Sequence, residues 1–272
     1  MKRPKSHKAS KRSKPFDKYD YYYRAVQGPE TDVEFIRDAY KELRGRLPKT
    51  LREDFCGTFA ISCEWAKLGR TFDAVGVDLD PEPIAYGRAH YLSKLAPAAR
   101  ERVRILQANV LDKSLPNADV IAAMNFSHYI FKTRAAMVAY FGNCLATLRE
   151  GGLLLCDSFG GSRCQEANEE QTVHPDFSYF WDQEGFDPIT NGAIFHIHFK
   201  PKGGKKIQKC FSYDWRMWTL PELREMMVEA GFQTTHVYWE GTDKKGGGDG
   251  EFKRTEIGEE CEAWIAYVVG EK

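Results

Sequence analysis

Leu51-Arg52-Glu53-Asp54-Phe55-Cys56-Gly57-Thr58-Phe59-Ala60-Ile61-Ser62 is the stretch on which the reading of this chain turns. Pro48 precedes it, and the apolar residues Ala60, Ile61, Trp65, Ala66 and Leu68 follow at helical spacing until Gly69. The stretch therefore predicts a short strand, a tight turn at Cys56-Gly57-Thr58 and a helix N-terminus. Such a turn leaves backbone N–H groups facing whatever sits across the strand end, a good place for a polar or anionic ligand group. The next strand, 74–77, ends in Asp78. A nucleotide-binding βαβ unit places an acid there, about twenty residues on, to accept from ribose hydroxyls.

Residues 53–59 resemble the acidic-x-Gly-Cys-Gly-Thr-Gly loop of class I S-adenosylmethionine-dependent methyltransferases. The match carries the acid Glu53, the core Cys56-Gly57-Thr58 and the downstream Asp78; it departs where Phe55 and Phe59 replace the flanking glycines. A dinucleotide dehydrogenase fits worse, because taking Gly57 as the first glycine of G-x-G-x-x-G puts Phe59 and Ser62 in the other two places. The resemblance implies an α/β fold with a Rossmann-like sheet, mostly parallel with its last strand antiparallel. It also implies S-adenosyl-L-methionine as cofactor, held by Glu53, Cys56, Gly57, Thr58, Asp78, Leu79, Asn109, Val110 and Asn125. Asn109 or a neighbour would read the adenine amine, with Asp112 as the alternative.

Composition sets the bounds. The 272 residues suit one large domain, or one domain with an insertion. No run approaches the roughly 18 apolar residues of a membrane span, and the basic start lacks the apolar segment of a secretory signal. A soluble cytoplasmic protein is expected. Seven cysteines without C-x-x-C spacing read as reduced thiols, and no zinc site is expected. Net charge is zero, yet residues 1–18 hold eight Lys and Arg against Asp17 alone, so the rest of the chain is acidic. Residues 1–15 are expected to be a disordered basic tail and 16–272 the catalytic domain. The tail either solubilises or attracts nucleic acid or an acidic partner.

Along the chain, the aromatic cluster Tyr19, Tyr21, Tyr22 and Tyr23 precedes an amphipathic helix through Val33, Ile36, Tyr40 and Leu43. Most of these tyrosines should pack, with one or two reaching the site. The apolar run 118–124 predicts a strand buried on both faces, leading into Asn125-Phe126-Ser127-His128-Tyr129 at its carboxyl end, where open α/β sheets bind ligands. Leu148-Arg149-Glu150-Gly151-Gly152 resembles the family's Leu-x-Pro-Gly-Gly turn, and 153–157 is the next strand. The stretch from about 160 to 215 exceeds a minimal fold of this type and reads as a β-hairpin or two-stranded cap over the substrate, with strands at 193–200 and 206–217. His196 and His198 share a face of the first of these, without a third metal ligand in sequence. Thr219, Pro221 and Glu222 form a helix start, and two late strands flank a Gly- and Lys-rich loop at 244–250.

Methyl transfer from a sulfonium is an in-line displacement in which alignment supplies roughly 7–11 kcal/mol of the barrier, so no dedicated base is required. Base or anchor candidates are His128, Tyr129, Asp157 and Arg216, the last for an acidic acceptor group. Three classes compete. The first is a methyltransferase acting on oxygen or nitrogen of a small-molecule acceptor. The second acts on RNA or protein through the basic tail. The third is a non-catalytic binding protein of the same fold.

Overall fold

In the computed structural model, residues 15–244 and 246–272 are described. The expected tail thus lies outside the described residues except for Pro15. The chain runs α1 (Lys18–Ala25), α2 (Pro29–Arg44), β1 (Thr50–Asp54), α3 (Ala60–Lys67), β2 (Asp73–Asp78), α4 (Pro81–His90), α5 (Pro97–Arg100), β3 (Val103–Gln107) and β4 (Ala118–Ala123). It continues with α6 (Arg134–Thr147), β5 (Leu148–Gly160), β6 (Asn168–Val173), β7 (Phe177–Asp187), β8 (Gly192–Pro201) and β9 (Ile207–Arg216). The last elements are α7 (Leu220–Glu229), β10 (Thr234–Thr242), β11 (Gly248–Thr255) and β12 (Trp264–Glu271).

Eight strands form the main sheet in the order β11-β10-β12-β5-β4-β1-β2-β3. Strands β5, β4, β1, β2 and β3 run parallel, and β12 enters antiparallel between β5 and β10. The mostly parallel sheet with a late antiparallel strand is therefore present as expected. All six residues of β4 are buried, because helices cover both faces of the sheet. On one side Val33, Ile36 and Tyr40 of α2 pack with Ile61 and Trp65 of α3. On the other, Met137, Tyr140 and Phe141 of α6 pack with Leu223, Met226 and Met227 of α7.

Two readings need correction. The insertion is a four-stranded antiparallel sheet, β6-β7-β8-β9, not a two-stranded cap. Strand β6, Asn-Glu-Glu-Gln-Thr-Val, is mostly exposed and polar, so it lacks the apolar alternation that marks a half-buried strand. The Gly- and Lys-rich loop in turn runs into β11, paired antiparallel on β10. Its order comes from the β10 ladder, which composition does not report.

Strand order reverses at β1, which has β2 on one side and β4 on the other. In open α/β sheets the crevice at the carboxyl ends of such strands is the ligand site. Among the described residues, no helix is long and apolar enough to cross a membrane.

Candidate functional site

At that crevice lies a cavity of about 260 Å³, lined by Glu53 and Asp54 at the end of β1, the turn 55–58, Asp78 and Asp80 after β2, and Met124 and Asn125 after β4. The turn is built on left-handed backbone. Phe55, Gly57 and Phe59 have φ of 57°, 51° and 50°, so the two phenylalanines adopt the conformation that glycine adopts without steric cost. Room for the turn comes from two glycines elsewhere. A Cβ on Gly76 would meet Cys56 Sγ at 2.9 Å, and one on Gly87 would meet the Thr58 carbonyl oxygen at 2.2 Å.

Asp78 joins the ends of β1 and β2. Its Oδ2 accepts from Gly57 N–H at 2.7 Å and its Oδ1 from Asp80 N–H at 2.9 Å. Glu53 is buried, and its Oε2 takes both bonds from Ser62, the N–H at 2.8 Å and the hydroxyl at 2.5 Å. Burial pushes its carboxyl up to about 8, with Asp32 and Asp78 adding to the rise. From the N-terminal side, Lys18, Tyr19, Tyr22 and Gln27 close the cavity. Two lining atoms, Thr58 Oγ1 and Gln27 Oε1, are buried without a hydrogen-bond partner. Natural proteins rarely leave such atoms unpaired, which marks them as places for ligand contacts.

A second cavity of about 550 Å³ opens between the main sheet and the four-stranded sheet. Its wall is aromatic, with Phe126, Phe159, Trp181, Trp215 and Trp264, and carries Glu240 and the Arg163–Glu170 ion pair at 3.2 Å. Burial raises the Glu240 carboxyl. Tyr22, Asn125 and Tyr213 line both cavities, and the two tyrosine side chains face each other there. Asn125 is held at this junction by Asp157, which accepts from the N–H groups of Asn125 at 2.7 Å and Phe126 at 2.8 Å. Both donors sit in left-handed backbone, φ 57° and 58°. Buried Asp157, pushed up to about 8, thus spends both oxygens fixing a bend.

Of the residues expected at the cofactor, Glu53, Cys56, Gly57, Thr58, Asp78 and Asn125 line the first cavity, whereas Leu79, Asn109 and Val110 are not among its lining residues. Leu79 is exposed and Val110 is buried in the core, while Asn109 Oδ1 accepts from Leu111 N–H at 2.9 Å within its own turn. The catalytic candidates scatter. Tyr129 is buried, its hydroxyl paired with Ser158 Oγ at 2.5 Å. Arg216 lines a separate depression, where it stacks 3.7 Å over the Trp218 ring and donates to Glu222 at 3.3 Å. Among the tyrosines, Tyr21 stacks on Phe177 at 4.2 Å and Tyr23 packs near Tyr91, so Tyr19 and Tyr22 are the two that reach the site. The signal that sequence reading missed is Gln27, at the α1–α2 turn, together with Tyr213 on β9.

His128 is buried with both ring nitrogens unpartnered, and desolvation pushes its pKa down to about 3. His128→Leu should raise stability by about 1–2 kcal/mol, since it removes an unpaired buried polar group. The unfolded chain binds a proton at this residue near pH 6.5, and the folded chain does not. Wild type should therefore lose stability relative to the variant as pH falls below about 6.5, by up to about 1.4 kcal/mol per pH unit. Urea melts of both proteins at pH 7.5 and 5.0 measure this, and a constant difference between them would refute it.

Glu169, Asp182 and His198 are the one described set with metal-ligand reach. His198 Nδ1 accepts from Lys209 N–H at 2.8 Å. The neutral ring must then carry its proton on Nε2, which faces Asp182 at 3.0 Å and has no lone pair for a cation. Lys206 already pairs with Glu169. This set is an ion-paired strand face.

No protein-family model and no curated protein matches the chain. Solved structures do match. An S-adenosylmethionine-dependent methyltransferase from Clostridium acetobutylicum is 16% identical, with 92% of this chain and 97% of that one covered and a TM-score of 0.65. CalS10, an amino pentose methyltransferase from Micromonospora echinaspora, is 16% identical, covering 93% and 97%, TM-score 0.64. KedS8, a sugar N-methyltransferase from Streptoalloteichus, is 17% identical, covering 100% and 98%, TM-score 0.61. The chain has the Rossmann-like fold of these methyltransferases.

Proposed function

We propose that this chain is an S-adenosylmethionine-dependent methyltransferase that moves a methyl group to nitrogen or oxygen of a small-molecule acceptor. The observation that carries the reading is the meeting of two cavities at Tyr22, Asn125 and Tyr213. An in-line displacement needs donor and acceptor on opposite sides of one short passage, and this junction supplies it.

The residues present fit the cofactor. The first cavity presents Glu53, Asp78, Asp80 and Glu82 against Lys18, which is itself paired with Glu82 at 2.7 Å; the Asp54 carboxylate is turned into the core against Arg52. An acidic site of this kind suits a cation. Asp78 would take the ribose hydroxyls, and Thr58 and Gln27 supply the unpaired atoms already noted. S-adenosylmethionine brings an activated methyl group, and the protein orients the acceptor and keeps water out.

The second cavity has the volume of a small-molecule site. Its aromatic faces and the carboxylate of Glu240 favour an amine-bearing acceptor. Two of the structural neighbours are described as methyltransferases of an amino pentose and of a sugar nitrogen, which agrees with nitrogen as the accepting atom. The four-stranded sheet is the substrate wall in this reading.

Calorimetric titration with S-adenosylmethionine tests the cofactor, and incubation of labelled cofactor with a panel of aminated sugars tests the transfer by mass spectrometry. Asp78→Ala should weaken cofactor binding by roughly 1.5–3 kcal/mol, the range for a hydrogen bond to a charged group. A wild-type protein that shows no binding at millimolar cofactor would sink the reading.

A further inference from the structure

The second cavity continues past its aromatic wall. Another cavity, of about 360 Å³, opens beside it and shares Phe159, Gly160, Cys164 and Trp264 with it. The two differ in chemistry. The second cavity carries Glu240, Arg163 and Glu170, whereas none of the described residues that line its neighbour is charged. Phe186, Met217, Trp218, Leu220 and Trp239 line that neighbour together with the shared Trp264. Two of its polar groups are already engaged. Trp218 Nε1 donates to the Phe131 carbonyl at 3.0 Å, and the Thr219 hydroxyl is held in the capping box of α7. The wall that remains is mainly indole and aliphatic surface.

Strand β5 makes the connection. A Cβ on Gly160 would meet Trp264 Cζ2 at 2.3 Å, so the missing side chain is what lets this indole lie against the strand as a wall common to both cavities. Trp239 packs beside it, with 5.2 Å between ring centroids and 34° between planes. Faces of this kind favour another flat ring, by offset stacking or edge contact. The same strand sets the distance to the reacting end. Asp157 of β5 holds the bend at Asn125, where the cofactor cavity meets the second cavity. Gly160 follows three residues later, which is about 10 Å along an extended strand.

We propose that the charge-free cavity is a second subsite for the acceptor, and that it takes a flat aromatic group carried about 10 Å from the accepting amine. The inference rests on the reading of the second cavity as the acceptor site. It narrows that acceptor to an amine with an aromatic appendage, such as an aryl glycoside of an aminated sugar. The polar cavity holds the charged portion, and the ring leaves water for the indoles.

The test offers each aminated sugar of the panel as its methyl, octyl and 2-naphthyl glycosides. Calorimetry of the full chain saturated with S-adenosylhomocysteine measures their dissociation constants. For at least one sugar the naphthyl glycoside should bind about ten-fold tighter than the methyl glycoside, or better, given the apolar area it buries. Leu220→Glu brings a charge into the charge-free cavity. It does so in the first turn of α7, where an acid is favourable to the helix, and S-adenosylhomocysteine binding shows that the variant folds. The variant should cut the naphthyl preference to about two-fold or less, because the ring would have to desolvate a carboxylate. No naphthyl preference in wild type, whether the glycosides bind equally or not at all, overturns the inference. An octyl glycoside that binds more tightly than the naphthyl one overturns it too, by assigning an aliphatic chain. A preference that Leu220→Glu leaves intact places the ring elsewhere and has the same consequence. If S-adenosylmethionine and S-adenosylhomocysteine both fail to bind wild type, the methyltransferase reading falls, and this inference with it.

Discussion

Arg52→Met should destabilise the fold by about 3–5 kcal/mol, because it strands a buried carboxylate. Arg52 and Asp54 are alternate residues of β1 and project to the same face of the sheet. Both are fully buried, at 0% and 1% exposure. The guanidinium grips the carboxylate through Nε to Oδ1 at 2.8 Å and Nη2 to Oδ2 at 3.1 Å. Around the pair, Arg52 Nη1 donates to Thr147 Oγ1 at 2.7 Å and Tyr140 donates to Asp54 Oδ2 at 3.0 Å. Even with this shell, burial outweighs the guanidinium and leaves the Asp54 carboxyl above its ordinary range. Without the arginine only Tyr140 and the weak thiol contact of Cys144 remain, so the carboxyl must take up a proton or open the core to water. The double variant Arg52→Met/Asp54→Leu should lie closer to wild type than Arg52→Met alone, since a buried pair replaced by apolar side chains removes both desolvation penalties. Urea unfolding of the three proteins checks this. A loss below about 1 kcal/mol in Arg52→Met would place the pair in contact with water and refute the argument.

Why this pair sits beside a ligand cavity follows from how β1 is written. Leu51 is core, Arg52 and Asp54 lock α6 to the sheet, and Glu53 turns to the opposite face, toward α3. That much was legible. A strand, a Cys-Gly-Thr turn and an acid after the next strand placed the cavity, and the Thr219–Glu222 capping box at the start of α7 is formed as its spacing implies. Local rules suffice where the signal is a contiguous run.

They fail where partners are distant. Tyr22 and Tyr213 stand 191 residues apart in the sequence and meet only because α1 folds back onto β9. Gln27 carries no motif, and its orphaned oxygen exists only once α1 and the turn 55–58 are in place. Arg216 read as a carboxylate anchor on residue type alone, yet stacking on Trp218 and the bond to Glu222 hold it elsewhere. The two phenylalanines are the opposite case. Their positions read as lost glycines, and the backbone kept the glycine conformation regardless.

Phe59→Gly should accordingly cost roughly 2–4 kcal/mol, although it relaxes the backbone. The two contributions oppose each other, and their sizes decide the sign. At φ 50° and ψ 38°, the N-terminal boundary of α3, a side chain costs about 1–2 kcal/mol that glycine does not. Against this stands the ring itself. It is fully buried and packs with Cys56, Cys63, Ile84 and Leu95, and it lies so close to α4 that a Cβ on Gly87 would meet it at 2.6 Å. Removing a buried phenylalanine typically costs about 3–5 kcal/mol. Packing therefore wins at this position. Phe55→Gly should cost less, since that ring is only partly buried and its contacts with Tyr140 and Phe131 are looser, at 5.7 and 6.0 Å between centroids. Glycine holds the turn without strain in either variant, so cofactor affinity should suffer less than in Asp78→Ala. Thermal melts with and without S-adenosylmethionine separate the two effects. A Phe59→Gly protein at least as stable as wild type would mean that strain, not packing, governs the turn.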